Sequence, residues 1–234
     1  MEDLTQQRLA RKIDLIRTLS LTKPHPSPKA SLEQYTLPPD IAATIGYVAA
    51  YTFGDIIGKT VLDLGCGTGR LALAASFLGA RQTVGIDIDK IAIRIASENF
   101  AETGLKNPVD WVLGDINAIK GSFDTILQNP PFGVQKRAAD RKFLEKALEV
   151  AHTTYSLHNH PYNDPDLANR LKSVKGRFIQ VSPTPFIQKL VEANNGVIKA
   201  VYAILMSIPH MFDFHRKRKL EFVADLYLIK KSDG

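Results

Sequence analysis

From Lys59 onward, short apolar runs alternate with segments of helical period, and this order predicts an α/β protein built on a doubly wound sheet. Two further observations point the same way. A glycine turn, Gly65-Cys66-Gly67-Thr68-Gly69, stands where the first of these strands passes into a helix, and the strands carry acids at or near their ends, Asp63, Asp87 and Asp115. Taken in order, Leu4 to Leu19 reads as a helix with an apolar stripe at Leu9, Ile13, Ile16 and Leu19. Thr22 to Ser31, with Pro24, Pro26 and Pro28, reads as an extended linker, so residues 1–31 are set apart from a domain over 32–234. Asp40 is expected to cap a helix through Tyr51. Thr60–Leu64, Gln82–Ile86, Val109–Leu113 and Ser122–Gln128 read as strands. Between them come helices over Arg70–Leu78, closed by Gly79, and from a cap at Asp89 to about Glu102. Ala138–His152 is helical by spacing. Thr153–Leu157 and Arg177–Val181 both qualify as the fifth strand, with turn-rich Asn159–Pro165 between them. Pro183–Ala193 suggests a helix, and Val197–Ser207 with Glu221–Ile229 a closing antiparallel pair.

The chain of 234 residues suits one large domain, which buries roughly 70–75% of its unfolded surface. Apolar content of 44% and charged content of 23% are those of a globular protein, and no apolar run reaches a membrane span of about 20 residues. Met1 to Ser20 has no signal-peptide core, which makes a cytoplasmic location the expectation. A single cysteine, Cys66, excludes an internal disulfide and a cysteine-built zinc site. Thirty basic against 24 acidic residues give +6, a modest excess compatible with a nucleic-acid partner.

The glycine turn departs from a dinucleotide fingerprint, because Arg70 occupies the third glycine position, and the Gly-Lys-Ser/Thr of a phosphate loop is absent. An acid on the first strand ahead of Gly-x-Gly-x-Gly suits a cofactor that carries an amino acid. Asp63 can hold its ammonium or a water. Asp87 follows at about the 20-residue interval from which a carboxylate reaches ribose hydroxyls; the alternative is that it caps the next helix. Asp115 is placed to accept from an adenine amino group, or is a turn residue.

After the fourth strand comes Asn129-Pro130-Pro131-Phe132. Two prolines lack the N–H that a sheet ladder needs, so the chain must leave the sheet there. A flat group bearing an amine can stack on Phe132 while its NH2 donates to Asn129 Oδ1 and the Pro130 carbonyl. The bland alternative is a strand-ending turn with Phe132 in the core.

The Val61–Gly69 loop, Asp87, Asp115 and this tetrad resemble a class I S-adenosylmethionine-dependent methyltransferase that acts on amino groups. More narrowly, the chain resembles the methyltransferase-like-five family of small-subunit rRNA adenine-N6 methyltransferases and its archaeal relatives. The resemblance runs from about Leu32 to Leu228. It is carried further by Leu32-Glu33-Gln34-Tyr35, Ile41-Ala42-Ala43, Gly85–Asp89, Asn129–Gly133, Tyr155-Ser156-Leu157-His158 and Phe214-His215-Arg216-Lys217. It implies a Rossmann-like sheet of seven strands, helices on both faces, and the last strands antiparallel. It also implies S-adenosylmethionine held by Gln34, Asp63, Gly65, Gly67, Thr68, Asp87, Ile88 and Asp115, with Asn129, Pro130, Pro131 and Phe132 catalytic and no metal. RNA would be gripped by Phe214, His215, Arg216, Lys217 and Lys219, and by Lys136 and Arg137 after the tetrad. The family pairing with a small zinc-containing activator would place that partner on an exposed Val109–Leu113 edge. Trp111 would anchor it there, unless the indole packs on a neighbouring helix.

Three departures stand out. Leu37 lies near where relatives carry a polar cofactor contact, Thr68 replaces a cysteine found in some, and the stretch 159–183 is longer than expected. That stretch holds Arg170, Lys172, Lys175 and Arg177, and reads as a solvated elaboration rather than an RNA-contacting hairpin. His158 and His160, without companions at metal-ligand spacing, read as loop or core residues. The tetrad alone also fits guanine-N2 or protein glutamine-N5 methylation, and a catalytically inactive RNA-binding protein is a further reading. Intact Asp63, Gly65, Gly67, Asp87 and Asn129 argue against the last. Cytosine-C5 chemistry is disfavoured, because the only thiol lies in the cofactor loop.

Overall fold

The structure is a computed structural model that describes residues 10–132, 139–173, 178–209 and 219–232. Helix α1 (Lys12–Ser20) precedes α2 (Pro39–Tyr47), which continues through one π turn, Val48–Thr52. Then follow β1 (Thr60–Leu64), α3 (Arg70–Phe77), β2 (Gln82–Asp87), α4 (Lys90–Thr103), β3 (Val109–Leu113) and β4 (Phe123–Gln128). The second half comprises α5 (Ala139–Val150), β5 (Ala151–Asn159), α6 (Pro165–Ser173), β6 (Phe178–Gln180), α7 (Pro185–Ala193), β7 (Gly196–Pro209) and β8 (Lys219–Lys231).

These strands form one sheet in the order β3-β2-β1-β4-β5-β8-β7-β6. The first five are mutually parallel, and β8, β7 and β6 continue antiparallel. The sheet therefore has eight strands, not seven. Both candidates for the fifth strand are strands, and the eighth is β6, a three-residue edge paired to β7. The central strands are buried on both faces, as parallel strands covered by helices must be. On β1, Val61 enters the core beneath α1, α2 and α3, while Leu62 and Leu64 enter the opposite core with Ile126, Ala147 and Val150.

Several local expectations change. The fifth helix ends at Val150, so His152 lies in β5. Asp40 is not a cap: Pro38 is the N-cap residue, Pro39 opens the helix, and Asp40 sits in the first turn, where the helix dipole favours it. On α1 the fully buried positions are Leu15 and Leu19, with Ile16 half-buried and Ile13 exposed. Both leucines join the principal core, which packs this helix onto the body of the sheet. In the stretch 159–183, α6 buries Leu167 and Leu171 against β7 and β8, and Lys172 pairs with Glu221 at 2.9 Å. No helix among the described residues is long and apolar enough to cross a membrane.

Candidate active site

The carboxyl ends of β1, β2, β3 and β4 open into a cavity of about 370 Å³. Its floor is the glycine loop. Gly65, Gly67 and Gly69 have φ of 75°, 53° and 91°, the left-handed region that only glycine enters readily. The Gly65 and Cys66 amides both donate to the Ile86 carbonyl at 2.9 Å, drawing the loop towards β2. The Gly67 amide donates to Asp87 Oδ2 at 2.8 Å, and the Asp89 amide donates to Asp87 Oδ1 at 2.9 Å. Asp87 thus braces the loop and still lines the cavity. Asp89 caps α4, as its spacing suggested, by accepting from the Ile91 amide.

Trp111 lies beneath this loop. A Cβ on Gly69 would come within 2.6 Å of its Cη2, and one on Gly85, its neighbour in register on β2, within 2.6 Å of its Cζ3. The indole fills the space those two glycines leave, so it packs inward rather than standing on the outer edge as an anchor. β3 is nonetheless an edge strand, with Val112 and Leu113 exposed.

Asp63 is 1% exposed; its Oδ2 accepts the Ala72 amide at 2.8 Å and its Oδ1 has no partner among the described residues. Burial pushes the carboxyl up to about 7, the Ala72 amide pulls it down, and Asp87 adds an upward contribution. Asp115 lines the same cavity and caps a short 3-10 turn, Ile116–Ala118, by accepting the Asn117 amide at 2.8 Å. Thr68 and exposed Ile88 line it too. Gln34 lines it with its amide already engaged: Oε1 accepts from the Lys29 backbone at 2.8 Å, and Nε2 donates to Asp89 Oδ2 at 2.9 Å.

The roof is the Pro-rich stretch expected as a linker, which is instead a strap tied at several points. Arg70 donates from Nε and Nη2 to Thr22 Oγ1 and O, at 2.7 and 3.1 Å, and from Nη1 to the Leu37 carbonyl at 2.6 Å. Buried Asn99 accepts from the Lys23 amide at 2.8 Å and donates to the Lys23 and Thr68 carbonyls at 3.1 and 2.9 Å. Burial lowers the Arg70 guanidinium to about 10. Arg70 and Asn99 are site residues that the sequence reading missed. Arg70 had a visible cue, the displaced third glycine, but Asn99 had none. Leu37 reaches the cavity with an apolar side chain.

Asn129 and Pro131 form the fourth wall. Asn129 Oδ1 is buried and has no hydrogen-bond partner among the described residues. Pro130 is buried and Phe132 half-buried, and neither lines the cavity itself. Phe132 meets Phe222 of β8 edge to face, with centroids 5.6 Å apart and planes at 79°. Lys136, Arg137, Phe214, His215, Arg216 and Lys217 lie outside the described residues, and Lys219 opens β8. In register, Ala224 pairs with Asn159 at the carboxyl end of β5, so β8 begins beyond that end, on the side of the sheet where Asn129 lies. His158 is a core residue: it is 4% exposed, its Nε2 meets Ser156 Oγ at 2.8 Å, and burial lowers it to about 4. His160 is paired through Nδ1 with Asp225 at 2.9 Å.

An amino-acid nucleoside fits these residues. The unpartnered Asp63 oxygen offers an acceptor to an ammonium, Asp87 stands at ribose distance in sequence, and a Cβ on Gly67 would meet no atom within 4 Å, leaving the loop open for close approach. Comparison with known proteins agrees. The model of the Methyltransferase small domain matches residues 48–158. The Methanocaldococcus jannaschii protein MJ0284 is 36% identical, covering 95% of each chain. The rRNA N(6)-adenosine-methyltransferase METTL5 of Danio rerio is 34% identical over 85% of this chain and 88% of its own. The crystal structure of PH1948 from Pyrococcus horikoshii superposes with a TM-score of 0.78 at 33% identity, over 96% of this chain and all of that one. Identity of this order over nearly the whole length places the chain in the methyltransferase-like-five family of class I methyltransferases.

Proposed function

We propose that the protein transfers a methyl group from S-adenosylmethionine to the exocyclic N6 amine of an adenosine in rRNA, with small-subunit rRNA as the substrate. The observation that carries this reading is Asn129 Oδ1: a buried acceptor without a partner among the described residues, on the wall of the cavity that the glycine loop floors. Adenine N6 is a poor nucleophile, because its lone pair is delocalised into the ring. Asn129 Oδ1 and the Pro130 carbonyl, accepting its two N–H bonds, favour a pyramidal nitrogen, which takes the lone pair out of conjugation with the ring and aims it. S-adenosylmethionine supplies an electrophilic methyl on a sulfonium, so the protein needs no strong base, and positioning with electrostatics provides most of the rate. A stacked adenine must be flipped out, at a cost of a few kcal/mol. Phe132 offsets about 1–3 kcal/mol of that by stacking; its edge-to-face contact with Phe222 leaves at least one ring face unused by that pair.

In this reading Asp63 holds the cofactor ammonium, Asp87 its ribose and Asp115 its adenine, with Gly65, Gly67, Thr68 and Ile88 against its body. Gln34 acts by bracing the roof. The basic run Arg216, Lys217 and Lys219, which leads into β8 in sequence, grips phosphate. A small zinc-containing activator adds its strand to β3, whose edge position and exposed Val112 and Leu113 suit such a contact. The test is Asn129→Ala. Its single-turnover methyl transfer should fall about a hundredfold or more, while S-adenosylhomocysteine affinity measured by calorimetry stays near wild type. Normal turnover would make the tetrad structural and the mechanism wrong.

A further inference from the structure

His25 sits in the strap, its side chain 3% exposed, and it lines the cavity. Its Nδ1 accepts the Ser27 backbone N–H at 3.1 Å. A ring nitrogen that accepts carries no proton, so the neutral imidazole bears its proton on Nε2. That N–H is buried and has no hydrogen-bond partner among the described residues. The nearest carboxylate oxygen paired with it, Asp89 Oδ2 at 3.7 Å, is beyond hydrogen-bond reach. Asp89 Oδ2 is also engaged elsewhere, by Gln34 Nε2 at 2.9 Å and Lys29 Nζ at 3.2 Å. Buried donors without partners are uncommon in folded proteins, and one on the wall of a ligand cavity calls for an acceptor on the ligand. Asp89, with Lys29 paired to it, lies beside the ring, and Asp87 lines the same cavity.

We infer that His25 Nε2–H is a recognition point for the ribose of the bound nucleoside, donating to a hydroxyl oxygen whose proton Asp87 accepts. This deepens the cofactor assignment of the cavity and rests on it. The chemistry is complementary. A ribose hydroxyl that donates to a carboxylate still has a free lone pair, and a neutral imidazole N–H is the donor that matches it. A diol satisfies both residues together, whereas a sugar without hydroxyls leaves the imidazole proton unpaired in a dry site.

The experiment is isothermal titration of wild type, His25→Ala and His25→Gln with S-adenosylhomocysteine and with its 2′,3′-dideoxy analogue. His25→Ala should weaken S-adenosylhomocysteine about five- to tenfold, the worth of one hydrogen bond, and leave the weaker dideoxy affinity within about twofold. His25→Gln, which returns an N–H near the Nε2 position, should recover most of the loss. Equal losses for both ligands would mean that the substitution disturbs the strap, and unchanged affinity would mean that His25 makes no contact; either overturns the inference. Tight binding of S-adenosylhomocysteine by wild type keeps the cofactor assignment standing in both cases, whereas no binding by wild type would overturn that assignment as well.

Discussion

Asp63→Asn separates what the buried carboxylate costs the empty protein from what it contributes to binding. Asp63 is 1% exposed, one oxygen has no partner among the described residues, and burial holds the group at about 7. In the unfolded chain an aspartate titrates near ~3.9. The native state therefore binds the extra proton between these values, and stability falls as pH rises through the window from 4 to 7. The slope is at most about 1.4 kcal/mol per pH unit, which sets a ceiling of about 4 kcal/mol above pH 7. Asparagine keeps an acceptor for the Ala72 amide and carries no charge, so it lacks this slope. Urea unfolding of the cofactor-free proteins at pH 5 to 8 should show the variant gaining on wild type with rising pH and exceeding it at pH 8. The same variant should lose S-adenosylhomocysteine affinity, because the ammonium has lost its counter-charge. In wild type, that affinity should rise with pH through about 7 as Asp63 ionises. A stability difference independent of pH, or a variant that binds as tightly as wild type, would refute the reasoning.

Other substitutions probe the floor, the tetrad and the basic run. Gly69→Ala forces a side chain to φ 91° and 2.6 Å from Trp111, so it should lower the melting temperature by the equivalent of about 1–3 kcal/mol and shift the emission of the single tryptophan; an unchanged spectrum and melt would contradict that packing. Phe132→Ala should weaken productive RNA binding by about 1–3 kcal/mol without changing cofactor affinity, and equal RNA binding would remove the stacking role. Replacing Arg216, Lys217 and Lys219 with glutamine should reduce the slope of log affinity against log salt by about two to three, whereas an unchanged slope would place the cluster away from phosphate.

The parts of the fold legible in the sequence are those fixed by local pattern. β1, β2 and β4 are legible as apolar runs because parallel central strands are covered on both faces, and Gly65, Asp87 and the Asn129-Pro130 turn mark where they end. The glycine loop and the acids Asp63, Asp87 and Asp115 line one cavity for the same topological reason, since the carboxyl ends of adjacent parallel strands converge. What escaped depends on distant partners. Proline content describes the stiffness of the strap, but its docking is decided by Arg70 and Asn99, which lie far along the chain. Trp111 looked like a surface anchor because β3 is an edge strand, yet Gly85 opposite it in register leaves a gap that only a large inward side chain fills. The three residues of β6 are too few to show a period, and no glycine or proline marks the passage from α5 to β5 at Val150–Ala151. His25 carried no signal at all, because the proton it presents follows from a backbone contact with Ser27.

Methyl transfer to rRNA, read at the level of the modified nucleoside, tests the central claim most directly. The purified protein, alone and with candidate small zinc-containing partners, is incubated with labelled S-adenosylmethionine and separated small- and large-subunit rRNA, and the products are digested to nucleosides. The account predicts label in N6-methyladenosine from small-subunit rRNA, lost with Asn129→Ala. Label in N2-methylguanosine, in protein glutamine, or in no product under conditions where the protein binds S-adenosylmethionine would contradict it.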